Sequence, residues 1–291
     1  MTVKTGENKM EYWSLFKYCF SWLKTPEGRK QALFLFALMA ITNVILAGLF
    51  AAVGIPLDNT ELQDVSVMQM VVSVAAILAS VVVMLYAYAW ITLEVLKQKG
   101  FGNERLDARK FLGYCWTNVV LYAYAFFSLK NLKLITIPIV GVILFALGET
   151  TGIMQIAGIA LLSVYALVFA YNIIRVAFGD LVYLSKKTTA KDSVEESYNL
   201  TAGKAWFTTK ILTVVLAASL IASLVVGMAF GIPLVVFTIA YRGVETTAFS
   251  ILMLTALVSS VKYALVMGAV TYGGVYAYKQ LLGEKNARTN K

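Results

Sequence analysis

The sequence predicts an all-α, polytopic membrane protein: six transmembrane helices arranged as three hairpins, with interfacial helices on the cytoplasmic side. Three observations carry that expectation. Of the 291 residues, 59% are apolar and only 14% are charged, with a mean hydropathy of +0.75, whereas soluble domains carry roughly 25% charged residues. Six apolar segments are long enough for a hydrocarbon core of ~30 Å, which takes about 20 helical residues to cross. Most of the 25 Lys and Arg residues avoid these segments and gather between alternate pairs of them.

The expected spans are Ala32–Gly54, Val67–Leu96, Leu112–Ile137, Ile153–Leu184, Phe207–Phe230 and Thr247–Tyr278. The longer ones exceed a minimal crossing and should tilt or project beyond the bilayer. Lys130 and Lys133 lie near the far end of the third span, and the apolar stretch Leu134–Leu147 follows. That stretch reads equally as a re-entrant segment, an extension of the span or a short further crossing. The whole chain, 1–291, is expected to form one integral membrane domain.

No cleavable signal peptide is expected, because six Lys/Arg fall in the first 30 residues and no small-residue cleavage site follows an apolar stretch. Residues 10–23 instead suit a helix lying in the interface. Trp13, Phe16, Cys19, Phe20 and Leu23 share one face, and Ser14, Lys17, Ser21 and Lys24 another. Orientation follows from charge. Lys97–Lys110 and Lys186–Lys210 each hold five Lys/Arg, whereas residues 57–66 hold Asp58, Glu61 and Asp64 and no base. Positive charge marks the cytoplasmic side, so a cell-membrane protein with both termini cytoplasmic is expected. The same distribution argues against nucleic acid as a partner: the net charge of +9 sits in short loops facing anionic lipid, with no soluble segment to carry a nucleic-acid face.

Gly54-Ile55-Pro56-Leu57 and Gly231-Ile232-Pro233-Leu234 follow the first and fifth spans, and Ile137-Pro138-Ile139 follows the third. Ser21-Trp22 with Thr25, and Ser197-Tyr198 with Thr201, precede the first and fifth. The sequence therefore suggests three repeat-like units, 10–97, 104–187 and 193–282, each span ending near its Ile-Pro corner. Helices in lipid approach through small residues. Ser219, Ser223, Gly227 and Gly231 form one such row, Ala256, Ser260, Ala264 and Gly268 another, and the two rows are expected to pack together. Asn43, Asn118 and Asn172 are candidates for interhelical hydrogen bonds.

Intramembrane charge is the main functional pointer. Lys262 lies near the middle of the sixth span, flanked by Ser259, Ser260 and Tyr263. A charge exposed to lipid tails there costs ~2.5–3.5 kcal/mol or more. The four residues are the candidate ligand-binding group, with Lys262 expected to face the bundle interior and meet an anion. Glu94, Arg175 and Asp180 read as structural charges near the cytoplasmic ends, with Arg175 suited to pair with Glu94 across helices. Zero histidines exclude imidazole ligands and Ser-His or Cys-His nucleophiles, and Cys19 and Cys115 cannot by themselves build a zinc site. Neither a metal nor a cofactor is expected, and no enzyme constellation is visible.

The segment Ser197-Tyr198-Asn199-Leu200-Thr201-Ala202-Gly203-Lys204-Ala205-Trp206, which leads into a long apolar pair, carries a resemblance. It resembles a loosely defined group of prokaryotic six-span proteins similar to the membrane domain of glycerophosphoryl diester phosphodiesterases, most of them uncharacterised. In members that are enzymes, catalysis resides in an added soluble barrel domain, and nothing resembling it fits here. The resemblance therefore implies the membrane fold and no phosphodiesterase activity. Two functional expectations follow. One is a non-enzymatic protein binding or transporting an amphipathic or anionic small molecule or lipid around Lys262. The other is a scaffold or accessory subunit whose basic cytoplasmic face binds anionic lipid or a partner membrane protein.

Overall fold

The computed structural model describes residues 12–52, 66–101, 104–127, 132–148, 152–240 and 245–289. The described residues form helices and turns, with no strand among them. The α-helices are α1 (Tyr12–Ser21), α2 (Pro26–Ala52), α3 (Val67–Gln98), α4 (Ala108–Phe126), α5 (Thr136–Leu147), α6 (Gly152–Val176), α7 (Gly179–Ser185), α8 (Ala190–Leu200), α9 (Ala205–Val226), α10 (Ile232–Ala240) and α11 (Glu245–Thr289). Among the described residues, five stretches are long and apolar enough to cross a membrane: Pro26–Phe50, Val67–Gln98, Gly152–Ser185, Ala205–Val236 and Met253–Gly283. Long, apolar and largely lipid-accessible helices suit an integral membrane protein.

The third expected span departs from expectation. Leu112–Ile137 is not one helix, because α4 stops at Phe126 and a 3-10 turn, Leu132–Ile135, leads into the short α5. The apolar stretch after Lys133 thus belongs to a separate helix. The Ile-Pro corners differ too. Pro138 lies in the first turn of α5, where a missing N–H costs no intrahelical bond. Pro233 lies inside a continuous helical path: a π-helical segment, Gly227–Gly231, precedes it, and α10 carries on to Ala240. The wider turn accommodates the proline ring where an α-turn would clash. Pro56, Asp58, Glu61, Asp64 and Glu149 lie outside the described residues.

Contacts group the chain into two compact units. The first comprises residues 1–95 and 213–273. Within it, α2 buries Gln31, Leu35, Met39 and Ala47 at intervals of four or eight residues. This row meets α11 in antiparallel register. Tyr272 Oη donates to Gln31 Oε1 (2.8 Å), and Asn43 Nδ2 donates to Ser260 Oγ (2.9 Å). The two bonds lie 12 residues apart on each helix, 31 to 43 and 260 to 272, hence ~18 Å along the axes. Thr25 starts α2. Its hydroxyl bonds the Trp22 carbonyl and accepts from Gly28 N–H, and Pro26 occupies the first helical position.

The small-residue row on α11 is buried at Ala256, Ser260, Ala264 and Gly268, but its partners differ from those expected. Asn43 of α2 meets Ala256 and Ser260, and the Trp22 ring fills the space beside Gly268. In the π segment that follows α9, Gly227 is exposed, and a Cβ on Gly227 or Gly231 would meet no atom within 4 Å. The buried α9 residues in this unit are Val215, Ala218, Ala222 and Val226, with Ser219 beside them. Val215 and Ala218 join Cys19 and Ala269 in one apolar cluster. Large and small side chains interdigitate here, so burial follows side-chain shape and not the spacing of glycines alone.

The second unit comprises residues 96–212 and 274–291. Helices α5 and α6 approach closely: a Cβ on Gly158 would stand 2.6 Å from Phe145 N and 2.8 Å from Gly141 O. Asn172 of α6 donates to the Ala125 carbonyl of α4 (3.2 Å), an interhelical bond like that of Asn43. Asn118 instead bonds the Tyr114 carbonyl on its own helix. Leu121, Tyr124, Ala125, Val176 and Val194 form the core of α4, α6 and α8. The turn from α8 to α9 depends on Gly203, whose φ of +70° is one that side chains rarely adopt.

Candidate membrane-surface site

The residues singled out around Lys262 do not converge. Ser260 is fully buried, donates to the Ala256 carbonyl (2.7 Å) and accepts from Asn43. Lys262 and Tyr263 are exposed, and Ser259 is half-buried. The cause is helical phase. Two residues advance about 200° around an α-helix, so burying Ser260 turns Lys262 away from α2. The expectation that Lys262 faces the bundle interior is corrected accordingly. Ser260 is a packing residue whose hydroxyl donates within α11 and accepts from α2.

The structural charges resolve differently. Arg175 is 7% exposed at the end of α6. Its Nε donates to Thr201 Oγ1 (3.1 Å), one terminal nitrogen to Tyr171 Oη (2.9 Å) and the other to the Tyr198 carbonyl (2.7 Å). The guanidinium carbon also lies 4.0 Å from the Tyr198 ring centroid. The Arg175 carbonyl accepts from Thr201 Oγ1 and Ser197 Oγ, and Ser197 Oγ accepts from Phe178 N–H. One arginine thus joins α6 to α8 across the break at residues 177–178 that separates α6 from α7. Asp180, also buried, accepts from Leu181 N–H. Glu94 lies on α3, in the other unit. Tyr171 lies one turn away on the same helix, whereas Tyr198 and Thr201 lie 23 and 26 residues away in sequence, beyond any helical spacing rule.

The most distinctive surface is on α1. This helix divides into three sides. Leu15, Cys19 and, just beyond its end, Trp22 are buried against the protein. Trp22 Nε1 donates to the Cys19 carbonyl (2.9 Å), and its ring stacks on Tyr272 at 5.5 Å. Cys19 therefore belongs to the protein-facing side and not with the aromatic face expected for it. Burial pushes its thiol up to about 11, so it carries no thiolate at neutral pH. The second side is aromatic. Trp13 stacks on Phe16 at 5.3 Å, Phe16 meets Phe20 edge-on at 5.6 Å, and Trp13 is 64% exposed. The third side carries Ser14, Lys17 and Ser21.

An open groove of about 520 Å³ runs along the second and third sides, with Trp13, Phe16 and Phe20 beside Lys17 and Lys24. The Lys17 ammonium lies 5.3 Å from the Trp13 ring centroid. The second unit repeats this i, i+4 pairing at the start of α9, where Lys210 lies 5.3 Å from the ring of Trp206, itself 72% exposed. Exposed tryptophans paired with lysines suit a headgroup layer, which solvates the cation while the ring reaches the acyl boundary. In the second unit, Lys110 and Lys186 are partly neutralised by Glu104 and Glu196. Among the described residues, no group of three or more His, Cys, Asp or Glu is arranged to hold a metal. Comparison with protein-family models, curated proteins and solved structures finds no match to this chain.

Proposed function

We propose that this chain is a non-enzymatic multi-pass protein of the cell membrane, with both termini cytoplasmic, that binds an anionic lipid along α1. One observation supports this above others: the outward side of α1 places an aromatic row beside Lys17 and Lys24 in a single groove. An acyl chain gains apolar contact against Trp13, Phe16 and Phe20, while the lysines meet the phosphate at the level where the headgroup sits. Burial of Leu15, Cys19 and Trp22 holds that helix against the protein, so the groove stays in the plane of the interface.

The test uses full-length protein in mild detergent, mixed with equal amounts of phosphatidylglycerol and phosphatidylcholine and read by native mass spectrometry. The wild type should retain phosphatidylglycerol preferentially. The double variant Lys17→Gln, Lys24→Gln should lose roughly 30-fold of that preference, from about 1 kcal/mol for each lysine near the headgroups. Its thermal stability should not change, because neither side chain enters the core. Equal retention by the two proteins, or no preference in the wild type, would refute the reading.

A further inference from the structure

We infer that α11 carries a docking face for a transmembrane helix of another protein, and that a carboxylate on that helix pairs with Lys262. Thr255, Ser259, Lys262 and Val266 follow one another at spacings of four, three and four residues, so they share one side of α11. This is the side turned away from the buried row Ala256, Ser260 and Ala264. Lys262 and Thr255 are exposed and Ser259 and Val266 half-buried. Small hydroxyl residues one and two turns from the lysine, Ser259 and Thr255, let a neighbouring backbone come close, and the three–four spacing is that of a helix–helix seam. The Thr255 hydroxyl is already bonded to the Ile251 carbonyl, so the seam presents one strong unsatisfied charge in Lys262.

Depth decides what meets that charge. Tyr272 packs beside Trp22 near the end of the bundle where α1 lies, and Lys262 is 10 residues further along the helix, ~15 Å. The apolar run of the sequence begins at Thr247, 15 residues in the other direction, ~22 Å. Lys262 therefore sits near the middle of the hydrocarbon layer, too far for its methylenes to bring the ammonium to either headgroup layer. An unpaired cation there is costly. A second copy of this chain does not supply the anion. All 16 Asp and Glu residues lie in the loops, the tails or the end turns of the apolar stretches, with Glu94 four residues from the end of α3 and Asp180 beyond α6. An acidic residue in a span of a different protein fits both the charge and the depth.

The experiment places the photocrosslinker p-benzoylphenylalanine at Val266 in the full chain, expressed in its own host membranes, with Lys262 intact or changed to Met or Arg. We expect an adduct with one protein whose crosslinked peptide is a transmembrane segment containing Asp or Glu. Its yield should fall about tenfold in Lys262→Met, equivalent to ~1.4 kcal/mol, and persist in Lys262→Arg. Exchanging the charges, Lys262→Asp with the partner's carboxylate changed to Lys, should restore it. The thermal midpoint of purified Lys262→Met should equal or exceed that of the wild type, so a lost adduct is not a lost fold. Adducts with phospholipid, with a second copy of this chain or with a segment lacking an acid would overturn the proposal. So would an unchanged yield in Lys262→Met.

Discussion

At Gly268 the absent side chain is replaced by the ring of Trp22. A Cβ there would stand 1.9 Å from Trp22 Cζ2. The ring is held by the stack on Tyr272 and by its N–H bond to Cys19, so it has no easy way to retreat. Gly268→Ala should therefore destabilise the protein by about 1–3 kcal/mol, the usual cost of overpacking. Gly227→Ala, with nothing within 4 Å, should stay within about ±0.5 kcal/mol. Thermal unfolding of both variants in one detergent checks the pair. Equal effects would mean that the Trp22 contact does not hold α11 in place. The sequence marks both glycines as members of small-residue rows, and spacing alone ranks them equally. Only the phase of each helix distinguishes the packed glycine from the open one.

Among the elements, the joint between α6 and α8 rests on Arg175. Its side chain directs hydrogen bonds to three acceptors on two helices, a geometry available to a planar guanidinium and not to an ammonium. Arg175→Met should lower stability by ~3 kcal/mol or more, because charge-assisted bonds of ~1.5–3 kcal/mol each are lost and buried acceptors are left unsatisfied. Arg175→Lys should recover little of it. Chemical denaturation in mixed micelles reads both, and full rescue by lysine would show that charge, and not the fork of donors, holds the joint. This joint also explains why Ser197, Tyr198 and Thr201 matter. In the sequence they introduce the fifth span; in the structure they receive the end of the fourth.

For the whole molecule, the distribution of charge sets the proposed orientation. Single cysteines placed at Asp58 or Glu149, in a background lacking Cys19 and Cys115, should label with an impermeant maleimide from outside intact cells. Labelling only after permeabilisation would invert the topology. Membrane residence, helical class and the positions of most apolar stretches were legible in the sequence, because burial in lipid demands about 20 apolar residues whatever the neighbours are. A helix within residues 10–23 with an aromatic side and a lysine side was legible from its periodicity, but the burial of Cys19 and Leu15 against the protein was not. The division of Leu112–Ile137, the π segment ahead of Pro233 and the partners of Arg175 were not. Helix ends and bends in lipid depend on which neighbouring groups satisfy the backbone, and composition carries no record of those neighbours. The rotation of α11 is the sharpest case. Residue identity places Lys262 at mid-span, but the bonds from Tyr272 to Gln31 and from Asn43 to Ser260, 12 residues apart on both helices, decide that it faces outward.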